Sequence, residues 1–429
     1  MNVFTVNKHG EPMMPCHPAR ARELLKQKRA RIYKRIPFTI QVVDREEFET
    51  QDIELKLDPG SNTTGVAIVQ HNPKEAKTVW QANLRHRGQQ IKDDLEKRRG
   101  IRRGRRNRKT RYRKARFDNR KREEGWLPPS LVSRVDNVVT WAKRLLKYLP
   151  ITSIAVETVR FDTQKMMNPE ISGVEYQQGE LMGYEVREYL LEKFKRSCVY
   201  CGITDVPLEV EHIVPKSRGG SNRVFNLTLS CRDCNLEKGN KPLEQFITDA
   251  DHRQKILQWA KQPLTDAAAV NATRYRIGNE VKKLGVPVSF WSGGRTKKNR
   301  IHRGYPKDHW IDAACVGSGE EEVVVNPYAP VLEIKATGRG SRQMCRINKY
   351  GFPRTKAKAV KRIHGFQTGD MVELSQDTGK YRGTFQGKVV VRNSGTFDIV
   401  TTERKISATW KKFRLLQRFD GYQYSIASA

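Results

Sequence analysis

The apolar positions change period along the chain, and each change marks an element. Ile53, Leu55 and Leu57 alternate with charged residues and end on Asp58; a period of two predicts a strand. The run from Pro59-Gly60 to Gly65 predicts a turn, and Val66–Val69 resumes the strand. Further on the period lengthens. Leu131, Val135, Val138, Val139, Ala142, Leu145, Leu146 and Leu149 share one face of a helix, which Pro150 stops. Ile151–Val156 then reads as a short buried strand ending at Glu157, so an apolar strand with an acid at its tip occurs twice. Helices are also predicted over Gly179–Phe194, Leu243–Trp259 and Asp266–Leu284, with a strand at Val286–Trp291. Pro306 and Asp308 suit a helix start. From there His309 and Asp312 fall at i and i+3 on one helix face.

The two ends read differently. Val3–Asn7, Ala30–Ile32 and Phe38–Val43 read as strands around a helix over Ala19–Lys28, a small α+β unit. From about residue 331 the chain turns to basic loops and short strands with glycine turns: Thr368–Leu374, Tyr381–Val391, Thr396–Val400 and Glu403–Trp410. That pattern predicts a small β-barrel. The fold class is therefore α/β and multidomain, in a chain of 429 residues that is long enough for several cores.

Charge narrows the function. The formal net charge is +34, far more than solubility needs, and it points to a polyanionic partner. Nucleic acid fits better than a membrane: no stretch approaches about 18 uninterrupted apolar residues, and the N-terminus has no signal-peptide pattern. The excess peaks in Lys97–Arg122, with sixteen Lys/Arg against one acid, Asp118. A solvated helix face usually mixes signs. This run reads instead as a phosphate-binding helix, ordered when a partner neutralises it, with Arg98, Arg99, Arg102, Arg103, Arg105, Arg106, Arg108, Arg111, Arg113 and Arg116 as contacts.

The densest chemistry lies between 198 and 240. Cys198, Cys201, Cys231 and Cys234 form two CxxC pairs, the pattern of a closed, structural tetrahedral zinc site. The three other cysteines, Cys16, Cys315 and Cys345, are dispersed, which fits a reducing, cytoplasmic setting. Glu211-His212 lies between the pairs, and Asn235 follows the last cysteine. A carboxylate and an amide oxygen can hold Mg²⁺, and a neutral histidine beside them can take a proton from water. A plain zinc ribbon that binds nucleic acid is the other reading of the same residues. The segment resembles the HNH (ββα-metal) nuclease family. That resemblance implies His212 as general base, Glu211 and Asn235 as magnesium ligands, Asn226 orienting the loop, and Lys238 steadying charge on the phosphate. The family often has Asp where Glu211 stands.

Asp58, Glu157 and Asp312 are far apart in sequence, but two end strands and one opens a helix. An α/β sheet can bring such positions together. Converging carboxylates need cations, and two Mg²⁺ about 4 Å apart would satisfy them. Read alone, Asp58 is equally a turn-favouring residue before Pro-Gly. Taken whole, the chain resembles the IscB family, RNA-guided nucleases encoded by transposons and related to type II CRISPR effectors. The matching residues are Pro12-Met13-Met14-Pro15, Leu57-Asp58-Pro59-Gly60, the arginine run, Val156-Glu157, the HNH insert and Pro306 to Ala313, in the family's order.

The resemblance implies a RuvC-like, RNase H-fold domain in three pieces (53–90, 126–190 and 247–330) with Asp58, Glu157, His309 and Asp312 as its magnesium site. It implies a PLMP-type unit at 1–52, a bridge helix at 91–125, an HNH unit with zinc at 191–246 and a C-terminal barrel at 331–429. The barrel would contact guide RNA and a motif beside the target. It also implies a monomeric protein within a ribonucleoprotein, partnered by structured guide RNA and double-stranded DNA. An unguided HNH/RuvC nuclease and a catalytically retired binding protein are the alternatives. Lys56 stands where many relatives carry a small residue, and its side chain is expected on the strand face opposite Asp58.

Overall fold

The computed structural model describes all residues except 47–48, 74, 108–122, 124, 159–181, 262–264, 321, 339, 341–344, 346, 357–359, 402–403 and 428–429. The N-terminal unit comprises β1 (Val3–Val6), β2 (Pro12–Cys16), α1 (Pro18–Lys26), β3 (Ala30–Lys34) and β4 (Thr39–Val42). Its sheet order is β2-β1-β4-β3.

The central sheet begins with β5 (Asp52–Pro59), β6 (Thr63–His71) and β7 (Ala76–Arg85), each antiparallel to the next. Two helices follow, α2 (Gly88–Asn107) and α3 (Pro129–Tyr148). The strand β8 (Ser153–Glu157) then pairs parallel with β5. The insert contains α4 (Met182–Lys193), β9 (Leu208–His212), β10 (Leu227–Cys231), α5 (Arg232–Lys238), α6 (Leu243–Phe246) and α7 (Ala250–Ala260). The expected single helix over 243–259 is thus two, restarted where the Asp249 carboxylate accepts from the Asp251 amide. The insert has its own core, in which Leu190 of α4, Phe194 just past it and Ile256 of α7 join Leu208, Val224 and Leu229.

The chain returns through α8 (Thr265–Lys282), β11 (Val288–Trp291), α9 (Gly293–His302), α10 (His309–Ala314), β12 (Val323–Val324) and β13 (Val331–Ala336). β11 pairs parallel with β8, and β13 parallel with β7. The C-terminal region holds β14 (Met371–Gln376), β15 (Gly383–Val390), β16 (Thr396–Val400), β17 (Lys405–Thr409) and β18 (Phe413–Gln417), an antiparallel sheet of order β17-β16-β15-β14-β18. Two features differ from the expected C-terminal barrel. Among the described residues no pairing joins the edge strands β17 and β18. The last strand, β19 (Tyr422–Ala427), pairs with β13 and extends the central sheet. The sheet therefore reads β11-β8-β5-β6-β7-β13-β19, with β12 beside β7.

Its two faces are covered by different helices. Leu55, Leu57, Val66, Ile68, Ile154 and Val156 pack with Val135, Val138, Trp141 and Leu145 of α3 and Ile277 of α8. Ala67 and Val69 point the other way and pack with Trp310, Ile311, Ala313 and Ala314 of α10. Lys56 lies on this second face. It is 5% exposed and donates to the Val316 carbonyl, 2.8 Å away, just past α10. That corrects the expected orientation: residues two apart on a strand share a face, so Lys56 and Asp58 point the same way. No helix among the described residues is long and apolar enough to cross a membrane.

Candidate active sites

The first candidate site lies at one end of the central sheet. Asp58 and Glu157 follow the paired residues Leu57 and Val156 on parallel neighbours, so register puts them side by side. Asp58 pairs across the sheet with Gly65 on β6. Gly65 explains how α10 reaches the site: a Cβ there would lie 1.8 Å from the His309 carbonyl oxygen. Only glycine lets the first turn of α10 lie on the strand beside Asp58. Arg134 of α3, 2% exposed, fixes the turn from the far side. It donates to the carbonyls of Pro59 at 2.5 Å and Gly60 at 2.8 Å, and to Ala269.

The electrostatics tie the three acids together. Glu157 is only partly covered as a residue. Even so, burial of its carboxyl group, then the charge of Asp58, pushes it well above the ordinary carboxylate range. Asp312 adds to the rise, while a Thr296 hydrogen bond and Lys307 oppose it. Asp312 is 4% exposed and is neutralised by Arg300, 2.8 Å away, and by Lys307. Hard oxygen donors that repel one another, with protein cations drawn in beside them, suit Mg²⁺. Asp58, Glu157 and Asp312 are the residues that would hold it, but among the described residues their oxygens are not gathered as closely as the four cysteine sulfurs of the insert.

His309 opens α10 at the same edge, with Asp308 as its N-cap residue. A nearby histidine gave no sequence signal. His86, just past β7, pairs with the Thr64 hydroxyl at 2.8 Å. Burial, then Arg134 and His309, pushes His86 down to about 3, so it is neutral at physiological pH.

The second candidate site is the insert. The four cysteine sulfurs lie within 4.8 Å of one another. Cys201 Sγ and Cys231 Sγ are 3.8 Å apart, the edge expected of a tetrahedron with Zn–S bonds of about 2.3 Å. Cys198 and Cys201 sit on a knuckle closed by the Gly202 amide bonding to the Cys198 carbonyl. Cys231 ends β10, and Cys234 lies in the first turn of α5. The donor set fits structural zinc. No other group of three or more His, Cys, Asp or Glu among the described residues converges this closely.

The remaining insert residues are not gathered as expected. Glu211 is 6% exposed, and both its oxygens are engaged: Lys238 Nζ donates to one at 2.8 Å and the Tyr200 hydroxyl to the other at 2.6 Å. Lys238 is fully buried and also bonds the His212 carbonyl. A buried carboxylate has to be paired, and α5 turns Lys238 inward to do it. Glu211 thus fails to fit as an open magnesium ligand here, and Lys238 does not face a phosphate. Asn235 donates to Glu209 at 2.7 Å rather than joining Glu211; Glu209 was not singled out from sequence. The His212 imidazole meets Asn222 at 2.9 Å on the open side. Asn226 holds the loop: its Oδ1 accepts from the Val214 amide, and its Nδ2 donates to the Val214 and Ser221 carbonyls.

The basic helix α2 begins nine residues before the predicted run and buries none of its residues. Arg99, Arg102, Arg103 and Arg106 are exposed, while Arg98 and Arg105 are half-buried. Arg105 lies 5.9 Å from the centre of the Phe352 ring. Arg108, Arg111, Arg113 and Arg116 lie outside the described residues.

Comparison with known proteins adds a class. Residues 198–241 match the family model described as HNH endonuclease, and residues 3–179 match one described as RRXRR protein. Arg102-Arg103-Gly104-Arg105-Arg106 lies within the latter. No curated protein matches. Among solved structures the chain is similar to the Type II-C Cas9 enzyme from Actinomyces naeslundii, at 19% identity and TM-score 0.17, over 46% of this chain and 29% of that one. It is similar to Streptococcus thermophilus Cas9 in complex with the AGAA PAM, at 14% identity and TM-score 0.22, over 62% of this chain and 32% of that one. It is also similar to T. thermophilus RuvC in complex with Holliday junction substrate, at 11% identity and TM-score 0.20, over 62% and 89% of the two chains. The chain thus spans about a third of the length of the two Cas9 proteins. The HNH match assigns an endonuclease-type domain to residues 198–241.

Proposed function

We propose that the chain is an RNA-guided double-stranded DNA endonuclease of the IscB type. The guide pairs with one DNA strand, and the protein holds the heteroduplex by its backbone and shape. The HNH unit cuts the paired strand, and the RuvC-like site cuts the displaced one. The observation that carries the reading is geometric: Asp58 and Glu157 end neighbouring parallel strands and α10, with Asp312, docks beside them at Gly65, in a chain that also contains an HNH unit.

At the RuvC-like site Asp58, Glu157 and Asp312 would hold magnesium, which would supply Lewis-acid polarisation of the scissile phosphate. Lys307 and Arg300 neutralise Asp312. His309, at the start of α10, orients the attacking water or contacts the phosphate. The neutral His86 behind it adds no competing charge. In the insert, the zinc-pinned hairpin presents His212 to take a proton from water. With Glu211 held by Lys238 and Tyr200, no metal step is assigned to it.

The test is to purify the protein from cells, sequence any co-eluting RNA, and assay a plasmid carrying the guide match. Cutting should require magnesium. Asp58→Ala and His212→Ala should each leave a nick in opposite strands. Loss of both cuts in either variant, with RNA and DNA still bound, would rule out two independent sites.

A further inference from the structure

A row of polar residues crosses the central sheet at the level of the candidate site. Asp58 on β5 pairs with Gly65 on β6, Gly65 with Asn83 on β7, and Asn83 with Glu333 on β13. Glu157 stands beside Asp58 on the other side. Paired residues share a face, so the row runs along one side of the sheet, and Gly65 is its one gap. The first turn of α10 lies over that gap, with the His309 carbonyl where a Cβ at Gly65 would be. Asp312 and His309 serve the Asp58 side of the gap. On the other side stands Asn83.

Asn83 is 7% exposed, and its two amide protons go to two different carboxylates. Nδ2 is 3.0 Å from Asp308 Oδ1 and 2.9 Å from Glu333 Oε1. Its own Oδ1 is buried without a partner. An orphaned buried acceptor is costly, so the two carboxylates dictate how the amide is turned. Asp308 is the residue immediately before α10 and makes no capping bond of its own to the helix. Its carboxylate is thus spent on Asn83 rather than on the helix amides. The consequence is a tie between the start of α10 and a strand two places from Asp58.

We propose that Asn83 is a positioning residue of the RuvC-like site: its amide joins Asp308 to Glu333 and so fixes the first turn of α10, with His309 and Asp312, over the gap at Gly65. Glu333 aims the amide from the far side. The proposal rests on the RuvC-like reading for its purpose but not for its geometry. Without Asn83, two carboxylates face each other with no donor between them, and the start of α10 is free to lift.

The experiment is hydrogen–deuterium exchange on the full chain, followed by strand-specific cutting. Asn83→Leu keeps the volume and removes both donors. Hydrogen bonds to charged groups are strong enough that amides of residues 309–315 should exchange at least roughly tenfold faster, with β5 and β6 still protected. Glu333→Gln keeps a neutral acceptor and should leave that segment within about twofold of the parent. Unchanged exchange of α10 in Asn83→Leu would overturn the proposal. So would uniform loosening of the whole sheet, because Asn83 would then support the fold at large. In cutting assays Asn83→Leu should raise the magnesium needed for the displaced-strand cut and leave the other cut unchanged. Faster α10 exchange in a protein that cuts neither strand, parent included, would keep the positioning role and refute the nuclease reading.

Discussion

Lys238→Met should destabilise the insert strongly, and the structure gives the size of the effect. Lys238 is fully buried, and its ammonium is 2.8 Å from Glu211, which is itself 6% exposed. At an effective dielectric of about 20, two unit charges at that separation attract by about 6 kcal/mol. Dehydrating both ions offsets most of this, so the pair as a whole adds little. Removing one partner is different: Glu211 is left buried and uncompensated, at a cost of about 3–5 kcal/mol. The Tyr200 hydroxyl, 2.6 Å from the other oxygen, remains and places the loss at the lower end. The double variant Glu211→Gln/Lys238→Met removes both charges and should recover to within about 1 kcal/mol of the parent. The chain has several cores, so one global unfolding curve is not meaningful. Hydrogen exchange over β9, β10 and α5 reads the local opening energy instead. About 3 kcal/mol corresponds to roughly 150-fold faster exchange in Lys238→Met. Less than tenfold acceleration, or a double variant as damaged as the sum of the two single ones, would show that the pair is not a mutually compensating unit.

Three further outcomes follow from the geometry. Gly65→Ala puts a Cβ 1.8 Å from the His309 carbonyl oxygen, so α10 must shift; the displaced-strand cut should fall at least tenfold while the other stays within about twofold. Glu157 titrates above its unfolded value, so the folded protein binds the extra proton. Metal-free stability should therefore fall as pH rises from the ordinary carboxylate range toward the raised value, and Glu157→Gln should flatten that slope in thermal melts without divalent ions. Chelating zinc should loosen 198–241 in exchange experiments and abolish the HNH cut, leaving β5–β8 protected.

Much of the fold was legible where a period was strong and local. The alternation ending at Asp58 and the helix from 131 to 149 needed only neighbouring residues, and the strands and helix lie there. The four cysteines likewise announced a metal site by spacing alone. What was missed depends on pairing partners hundreds of residues away. β7, with Trp80 and Leu84 buried and Asn83 polar, carries no clean alternation because different helices cover its two faces. β13 and β19 lie inside a segment whose glycine turns suggested an independent barrel, yet they close the edge of the central sheet. Glu211 and Lys238 matched a motif by position, but only tertiary packing reveals that they satisfy each other.

The orientation of Lys56 shows why register, more than composition, decides such a site. The two-residue period puts Lys56 on the face of Asp58, and there it binds the carbonyl at the end of the helix that carries Asp312. The charge that looked foreign to an apolar strand therefore holds α10 at its C-terminal end, where a cation also suits the helix dipole. Asn83 holds the opposite end through Asp308, and Gly65 lets the middle sink onto the sheet. Three unrelated residue types on three adjacent strands thus act on a single short helix. A helix of six residues has little stability of its own. Its placement beside Asp58 and Glu157 must come from these tertiary ties, and Lys56→Met, which removes one of them, should loosen the last turn of α10 before it disturbs β5.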